Sequence, residues 1–336
     1  MMLSHALSPL AGAATTIACS AGELRRMMCE APGQATQLAH ARLDRILHRD
    51  AARALVEVQS GTPWQTLGAG VADSAPALAH CVAQGALAGT VGEAVATNAA
   101  APDGRPLVAL VEALTVVTPD GELQRASRAH NAELFSLAVG GQDLFGLTYS
   151  VTLRLDALTQ AAVRYRPPET LVLGDQADAA SRTTRVLVPP AHLAEFLGAA
   201  RALCDEWRVP LARIEVAHSL SEEETMLRWA KQAYAAVTLA LVLPAPLGAC
   251  VRGVQLERAL IDCAIAFGGS FPIACTRSAT RAQLEACYPE LRAVLAEKAR
   301  RDPGARLYND WYRHHRQLLD DSRVSVRWNS AQAASA

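Results

Sequence analysis

Apolar and polar positions in this chain fall into short blocks that switch between a period of two and a period near 3.6, the signatures of half-buried strands and amphipathic helices. From Ala51, "AARALVEVQSGTPWQTLGAGV" places Leu55, Val56 and Val58 in a strand, turns at Ser60-Gly61, and opens a helix after Pro63-Trp64. The run Leu107 to Val117, "LVALVEALTVV", reads as a long strand. It is closed by Pro119-Asp120-Gly121, whose Pro and Gly suit the turn dihedrals, and by a short return strand, so a hairpin is predicted. "NAELFSLAVGGQDLFGLTYSVTLRLD" gives a helix over Ala132 to Ala138, a glycine-punctuated loop, and a strand alternating Tyr149, Val151, Leu153 and Leu155.

After Asp156 the pattern changes. Residues 157 to about 180 are rich in Ala, Arg and Pro and read as a connecting strand and loop. "TTRVLVPPAHLAEFLGAARALCDEW" is a strand, a Pro-Pro break, and a helix with Leu193, Phe196, Leu197, Ala200 and Leu203 on one face. "VPLARIEVAHSL" is a strand. "SEEETMLRWAKQ" predicts a helix capped by Ser221 with acids in its first turn, "AAVTLALVLP" a buried strand, and "VRGVQLERALIDCAIAFGGS" a helix ending at Gly268-Gly269. Strands and helices in this order predict an antiparallel sheet with helices on one face. The tail after Asp320 is polar.

Composition narrows the function classes. The 336 residues suffice for two domains, and 51% of them are hydrophobic. With 32 basic against 33 acidic residues, no charge excess marks a nucleic-acid or anionic-membrane surface. The eight cysteines are scattered without Cys-x-x-Cys pairs or zinc-ligand spacing, which predicts small buried hydrophobes in a reducing, cytoplasmic setting and no metal. The apolar N-terminus lacks a basic region and is interrupted by His5 and Pro9. No membrane-length apolar run occurs.

Five segments in order carry a resemblance: "RLDRILHRDAARALVEVQSGTPWQTL", "GTVGEAVATNAA", "VEALTVVTPDGELQRAS", "NAELFSLAVGGQDLFGLTYSVTLRL" and the C-terminal "GGSFPIACTRSATRAQLEACYPELRAVLAEKARRDPGARLYNDWYRHH". In this spacing the chain resembles the vanillyl-alcohol-oxidase-type (PCMH-type) FAD-linked oxidoreductases. The resemblance implies an α+β fold: a PCMH-type FAD-binding domain over 1–156, a cap or substrate domain with an antiparallel sheet covered by helices over 157–280, and a segment, 281–319, that returns to the first domain. It also implies FAD as cofactor. Gly89, Thr90, Val91, Gly92 and Asn98, with Gly140, Gly141 and Gly146, are the positions that match the family's cofactor-facing motifs.

Against that family the chain departs at three places. The segment "CEAPGQATQLAHARLDRIL", where the family's glycine-rich pyrophosphate loop belongs, holds Gly33 alone and reads as too short for a strand plus that loop. The helix-like "SAGELRRMM" stands in its expected place ahead of it, which points to an internal deletion. The Thr-Val-Gly turn continues with Glu93, a carboxylate where a phosphate would approach, and the loop before the hairpin is reduced to "AAAPDGRPL". No histidine matches the family's covalent attachment site, since His40 and His48 lie beyond it, so any FAD is expected to be non-covalent.

Two readings stay open. In the first, the chain is a FAD-linked oxidoreductase that moves hydride from a small organic substrate to flavin. His218 on its strand is then a candidate proton acceptor, and Arg277, ahead of a helix capped by Thr280, a candidate anchor for a substrate carboxylate or an anionic flavin. In the second, the chain is a flavin-free relative, a cofactor-independent tailoring enzyme or a non-catalytic binding subunit with a partner chain. Glu93 then becomes a functional carboxylate. Glu215 reads as a solvated carboxylate, Tyr308, Asn309, Trp311 and Tyr312 as an aromatic cluster, and His314-His315 as a solvated helix end.

Overall fold

The computed structural model describes residues 16–17, 20–30, 38–39, 43–173, 182–243 and 247–320. β1 (Thr16–Ile17) runs parallel to β2 (Leu38–Ala39), with α1 (Ala21–Glu30) between them. Ser20 caps α1 by accepting the Glu23 N–H at 3.2 Å. Leu24 and Met28 of α1 bury against Leu43, Val117, Leu147 and Leu307 in a small core of their own. The segment that read as too short for a strand plus the glycine-rich loop contains the two-residue β2; Gly33 and His40 lie outside the described residues.

β3 (Ile46–Asp50) and β4 (Leu55–Gln59) lead into α2 (Trp64–Gly70), α3 (Pro76–Ala83) and α4 (Val91–Ala96). β5 (Val111–Val117) and β6 (Leu123–Ser127) form the expected hairpin, followed by α5 (Ala132–Ala138) and β7 (Leu147–Arg154). These strands make one antiparallel sheet in the order β3-β4-β7-β5-β6, with β7 central. Residues 107–110, expected as strand, form a 3₁₀ turn before β5.

α6 (Leu155–Val163) occupies residues that read as a connecting strand and loop. Its apolar positions Leu158, Ala161 and Ala162 bury against the first domain, and that burial fixes a helix where small residues and arginines look like a linker. The second sheet consists of β8 (Glu169–Val172), β9 (Arg182–Val188), β10 (Leu211–Ser219) and β11 (Tyr234–Leu241). Its order is β8-β10-β11-β9, antiparallel throughout. α7 (Leu193–Glu206) and α8 (Leu247–Ala266) bury apolar residues such as Phe196, Leu256 and Leu260 in the same core as Ile214, Val237 and Leu239 of the sheet. This is the α+β arrangement expected, a first domain followed by a helix-covered antiparallel sheet. α9 (Arg281–Cys287), α10 (Leu291–Arg301) and α11 (Asp310–Leu318) complete the described chain.

Residues 221–232 are not the predicted helix. The Glu222 carboxylate accepts the N–H groups of Glu224 (2.6 Å) and Thr225 (3.0 Å) and the Thr225 hydroxyl (2.5 Å), so the acids that suggested a first turn build a compact loop instead. Ser136 pins that loop by accepting the Met226 N–H at 3.1 Å and donating its hydroxyl to the Glu224 carbonyl at 2.7 Å. Arg128 adds a pairing with Glu224 while donating to the carbonyls of Val108 and Val111. Contacts from the first domain override the local propensity of the segment.

Candidate functional site

The turn into α4 is built from inside the chain. Thr90 is the N-cap, and its hydroxyl accepts the Glu93 N–H at 3.2 Å while a Glu93 carboxylate oxygen accepts the Thr90 N–H at 2.9 Å, a reciprocal capping box. The Val91 N–H goes to the Thr62 carbonyl at 3.0 Å and the Gly92 N–H to the Ser60 carbonyl at 2.7 Å. All four amides at this turn, Thr90 through Glu93, are satisfied by the protein itself. Gly92 is needed because α4 abuts β4's exit: a Cβ would stand 2.7 Å from the Ser60 carbonyl oxygen. A Cβ at Gly89 would run into the Glu93 carboxylate.

The loop over Gly140 to Gly146 wraps the far end of α4. Gly140 donates its N–H to Val95 at 2.9 Å, and Gln142 donates to the Ala96 carbonyl through its backbone at 2.9 Å and its side chain at 3.1 Å. Gly141 lies against the last turn of α5, where a Cβ would overlap the Leu137 carbonyl oxygen, and Gly146 packs on Val116 and Val117 of β5. Asn98 is fully buried in a left-handed conformation (φ 47°). Its Oδ1 accepts the Val108 N–H at 2.9 Å, its Nδ2 reaches Glu222, and its carbonyl accepts the Trp229 indole N–H at 2.7 Å. Every sequence-predicted cofactor position thus has a partner or a packing neighbour within the chain.

These residues do not fit a pyrophosphate at the α4 turn. A phosphate needs converging free N–H groups and no competing anion, but the amides here are spent, and two carboxylates stand together. Asp143, adjoining the turn in left-handed conformation (φ 58°), has its pKa pushed up to about 7 by burial and by the neighbouring Glu93 charge. No motif marks Asp143 in the sequence. Glu93 had a legible signal, since Thr90-Val91-Gly92-Glu93 is the capping-box pattern ahead of an apolar run.

A second group of polar residues gathers where the second sheet meets the C-terminal segment. Ser270 bridges to Leu187 of β9, and the Ile273 carbonyl accepts the Trp311 indole N–H at 3.0 Å. The intervening loop carries Cys275 and Arg277, both exposed. Arg277 has no hydrogen bond or ion pair among the described residues, although Asp310 and His314 of α11 lie close enough to act on it or feel its charge. Burial and the Arg277 charge lower the His314 pKa. On the open side of the sheet Arg185 donates to Thr238 at 3.1 Å, and Arg213 pairs with Glu215 at 2.8 Å. Asn309, which caps α11, donates to the Gln142 carbonyl at 2.8 Å and so ties this group to the Gly140 loop.

His218 is not drawn into either group. Ile214 and Val216 of its strand face are buried, but His218 itself is exposed near the strand end, beside the Gly104 turn. The expected solvated end at His314-His315 is corrected for His315, which is fully buried, with Nδ1 2.8 Å from the Trp311 carbonyl and Nε2 without a partner. Trp311 and Tyr312 are buried as packing residues, as are Trp64, Phe135, Phe145 and Cys81. Among the described residues no group of three His, Cys, Asp or Glu is placed to hold a metal, and no helix is long and apolar enough to cross a membrane.

Burial holds the His315 imidazole neutral, with its pKa lowered from 6.5 to about 4. The unfolded chain binds that proton more readily, so His315 contributes stability that is present above pH 6.5 and is lost as pH falls toward 4. The loss should reach about 2–3 kcal/mol. Asp143 acts with the opposite sign, because its folded pKa is raised and the folded state holds the proton between 3.8 and about 7. Urea unfolding at pH 7, 6 and 5 should therefore show a steeper acid loss in Asp143→Asn and a shallower one in His315→Phe than in the unaltered protein. Parallel curves for all three would refute this assignment.

None of the curated proteins matches the chain. Residues 25–127 match the family model of a FAD binding domain, and they contain β3, β4, the α4 turn and the β5–β6 hairpin. Over these residues the chain carries a FAD binding domain of the PCMH type, the kind found in FAD-linked oxidoreductases.

Proposed function

We propose that this chain is a flavin-free member of its family, a small-molecule-binding subunit whose ligand is an organic anion held at Arg277. The observation that carries the flavin-free part is the α4 turn, where every amide is bonded within the chain and Glu93 fills the space beside Gly89. Support for the anion comes from Arg277, an exposed guanidinium with no hydrogen bond or ion pair among the described residues, in a loop that approaches Arg185, His314 and Asp310. A planar guanidinium offers a carboxylate two parallel hydrogen bonds. Residues 157–280 are the part to which we assign substrate choice, with 281–319 supplying the α11 wall. Six unpaired cysteines among the described residues are in keeping with a cytoplasmic chain.

One test covers both parts. The purified protein should show no flavin absorbance after incubation with excess FAD and desalting. Calorimetric titration with small mono- and dicarboxylic acids should find binding that Arg277→Ala weakens at least about tenfold, the loss of one charge-assisted hydrogen-bonded contact. Absence of any carboxylate binding, or binding indifferent to Arg277, would sink the anion assignment.

A second reading is favoured by the match of residues 25–127 to a FAD binding domain. In it the chain is a FAD-linked oxidoreductase acting on a small organic substrate, with the flavin held non-covalently. Retained flavin in the same spectrum selects this reading over the first.

A further inference from the structure

We infer that Glu93 and Asp143 are what closes the α4 turn to a dinucleotide: Glu93 takes the contact a phosphate oxygen would make, and the two carboxylates together repel the phosphate. The inference deepens the flavin-free reading by naming its cause, and it makes a claim that reading does not need.

Three observations support it. First, the Glu93 carboxylate accepts the Thr90 N–H at 2.9 Å from within its own turn. An anion brought by a ligand would have to displace this internal one, which is tethered and therefore present at high effective concentration. Second, Glu93 folds back over Gly89, so the open space that a glycine with φ +71° leaves beside the backbone is filled by a charged oxygen. Third, Asp143 stands close enough for Glu93 to act on its ionisation, and it extends from a loop held to α4 through Gly140 and Gln142. Among the described residues neither carboxylate has an ion pair with a lysine or arginine, so their charge is not cancelled locally.

The protein itself supplies the conservative variant. α9 has the same capping box with Gln283 in place of the glutamate: the Gln283 N–H goes to the Thr280 hydroxyl at 3.3 Å, and the Thr280 N–H goes to Gln283 Oε1 at 2.9 Å. Glu93→Gln therefore keeps the fold of the cap, removes its charge, and replaces a charge-assisted acceptor on the Thr90 N–H by a weaker neutral one that a phosphate oxygen can displace. Asp143→Asn suits the left-handed backbone there, which asparagine adopts readily. The double variant should match the unaltered protein in circular dichroism and have a thermal midpoint no lower, since the buried Asp143 charge is removed, which establishes folding before binding is measured.

The experiment titrates FAD and riboflavin separately into the unaltered protein, each single variant and the double variant, following flavin fluorescence anisotropy at about pH 8, where Asp143 as well as Glu93 carries its charge. The expected result is a gain in FAD affinity of at least tenfold for Glu93→Gln/Asp143→Asn, with no comparable gain for riboflavin, which carries no phosphate. Equal FAD affinity in the unaltered protein and the double variant overturns the inference. So does an equal gain for both ligands, because it would report a looser cleft rather than a lifted charge. The ratio between variants tests this inference, whereas flavin retention by the unaltered protein tests the flavin-free reading, so the two fail separately.

Discussion

Gly141→Ala is expected to destabilise the protein by about 3 kcal/mol or more, because the new methyl would overlap the Leu137 carbonyl oxygen at the end of α5 and has the Phe145 ring 3.1 Å away on another side. Both neighbours are fixed. The carbonyl belongs to backbone, and Phe145 is buried in the main core. The same substitution at Gly198, inside α7 with nothing within 4 Å of the new Cβ, should instead stabilise by about 0.5–1 kcal/mol through the lower backbone entropy of the unfolded chain. Urea unfolding of both variants is the check. A Gly141→Ala protein as stable as its parent would mean that this glycine is free of the packing role assigned here, which would return it to the cofactor-facing set. The result therefore bears on function as well as on stability.

Asp302→Ala should cost about 3–5 kcal/mol, the usual consequence of leaving one half of a buried ion pair without its partner. Lys298 and Asp302 are paired one helical turn apart, with side chains only 1% and 2% exposed. Asp302 also accepts the N–H groups of Arg306 at 3.0 Å and Leu307 at 2.8 Å, which shapes the turn after α10 and delivers Leu307 into the α1 core. The lysine ammonium and these two amides hold the Asp302 carboxyl below its ordinary range despite its burial. Its contribution is therefore present above about pH 4 and is lost as pH falls through the lower folded value. Lys298→Met combined with Asp302→Asn should recover most of the loss, since the amide oxygen still accepts from the two backbone donors and no lone charge remains. Equal instability of the double variant and Asp302→Ala, read from unfolding midpoints, would show that the pair matters for the charges themselves rather than for avoiding an uncompensated one.

Much of the architecture follows from local pattern. Leu55, Val56 and Val58 alternate and end at a Ser-Gly turn, and β4 is where they are. Asn131 precedes an apolar helix pattern that stops at Gly140, and α5 spans Ala132–Ala138 as its residues predict. Pro119-Asp120-Gly121 can hardly do other than turn. Thr280 heads α9 because a threonine followed three residues later by glutamine closes a capping box from sequence-local groups alone. In each case the residues that decide the structure are within four positions of one another, so the chain carries its own instructions there.

Tertiary structure decided the rest, by bringing distant groups to compete with local ones. Residues 221–232 have the composition of a helix, yet Ser136, Arg128 and Asn98 hold that segment as a loop, and all three are more than 80 positions away. Asn98 matches a cofactor-facing motif, and its amide is spent on Val108 and Glu222. Asp143 has no marked environment in the sequence, because its partner Glu93 is 50 residues earlier and only the packing of the Gly140 loop on α4 brings them together. His315 looks like a polar residue at a helix end until the loop at Ile273 covers α11 and strips its water away. Periodicity and caps are short-range physics and are written in the residues themselves, whereas the charge and hydration of a side chain depend on which distant surfaces the fold sets against it.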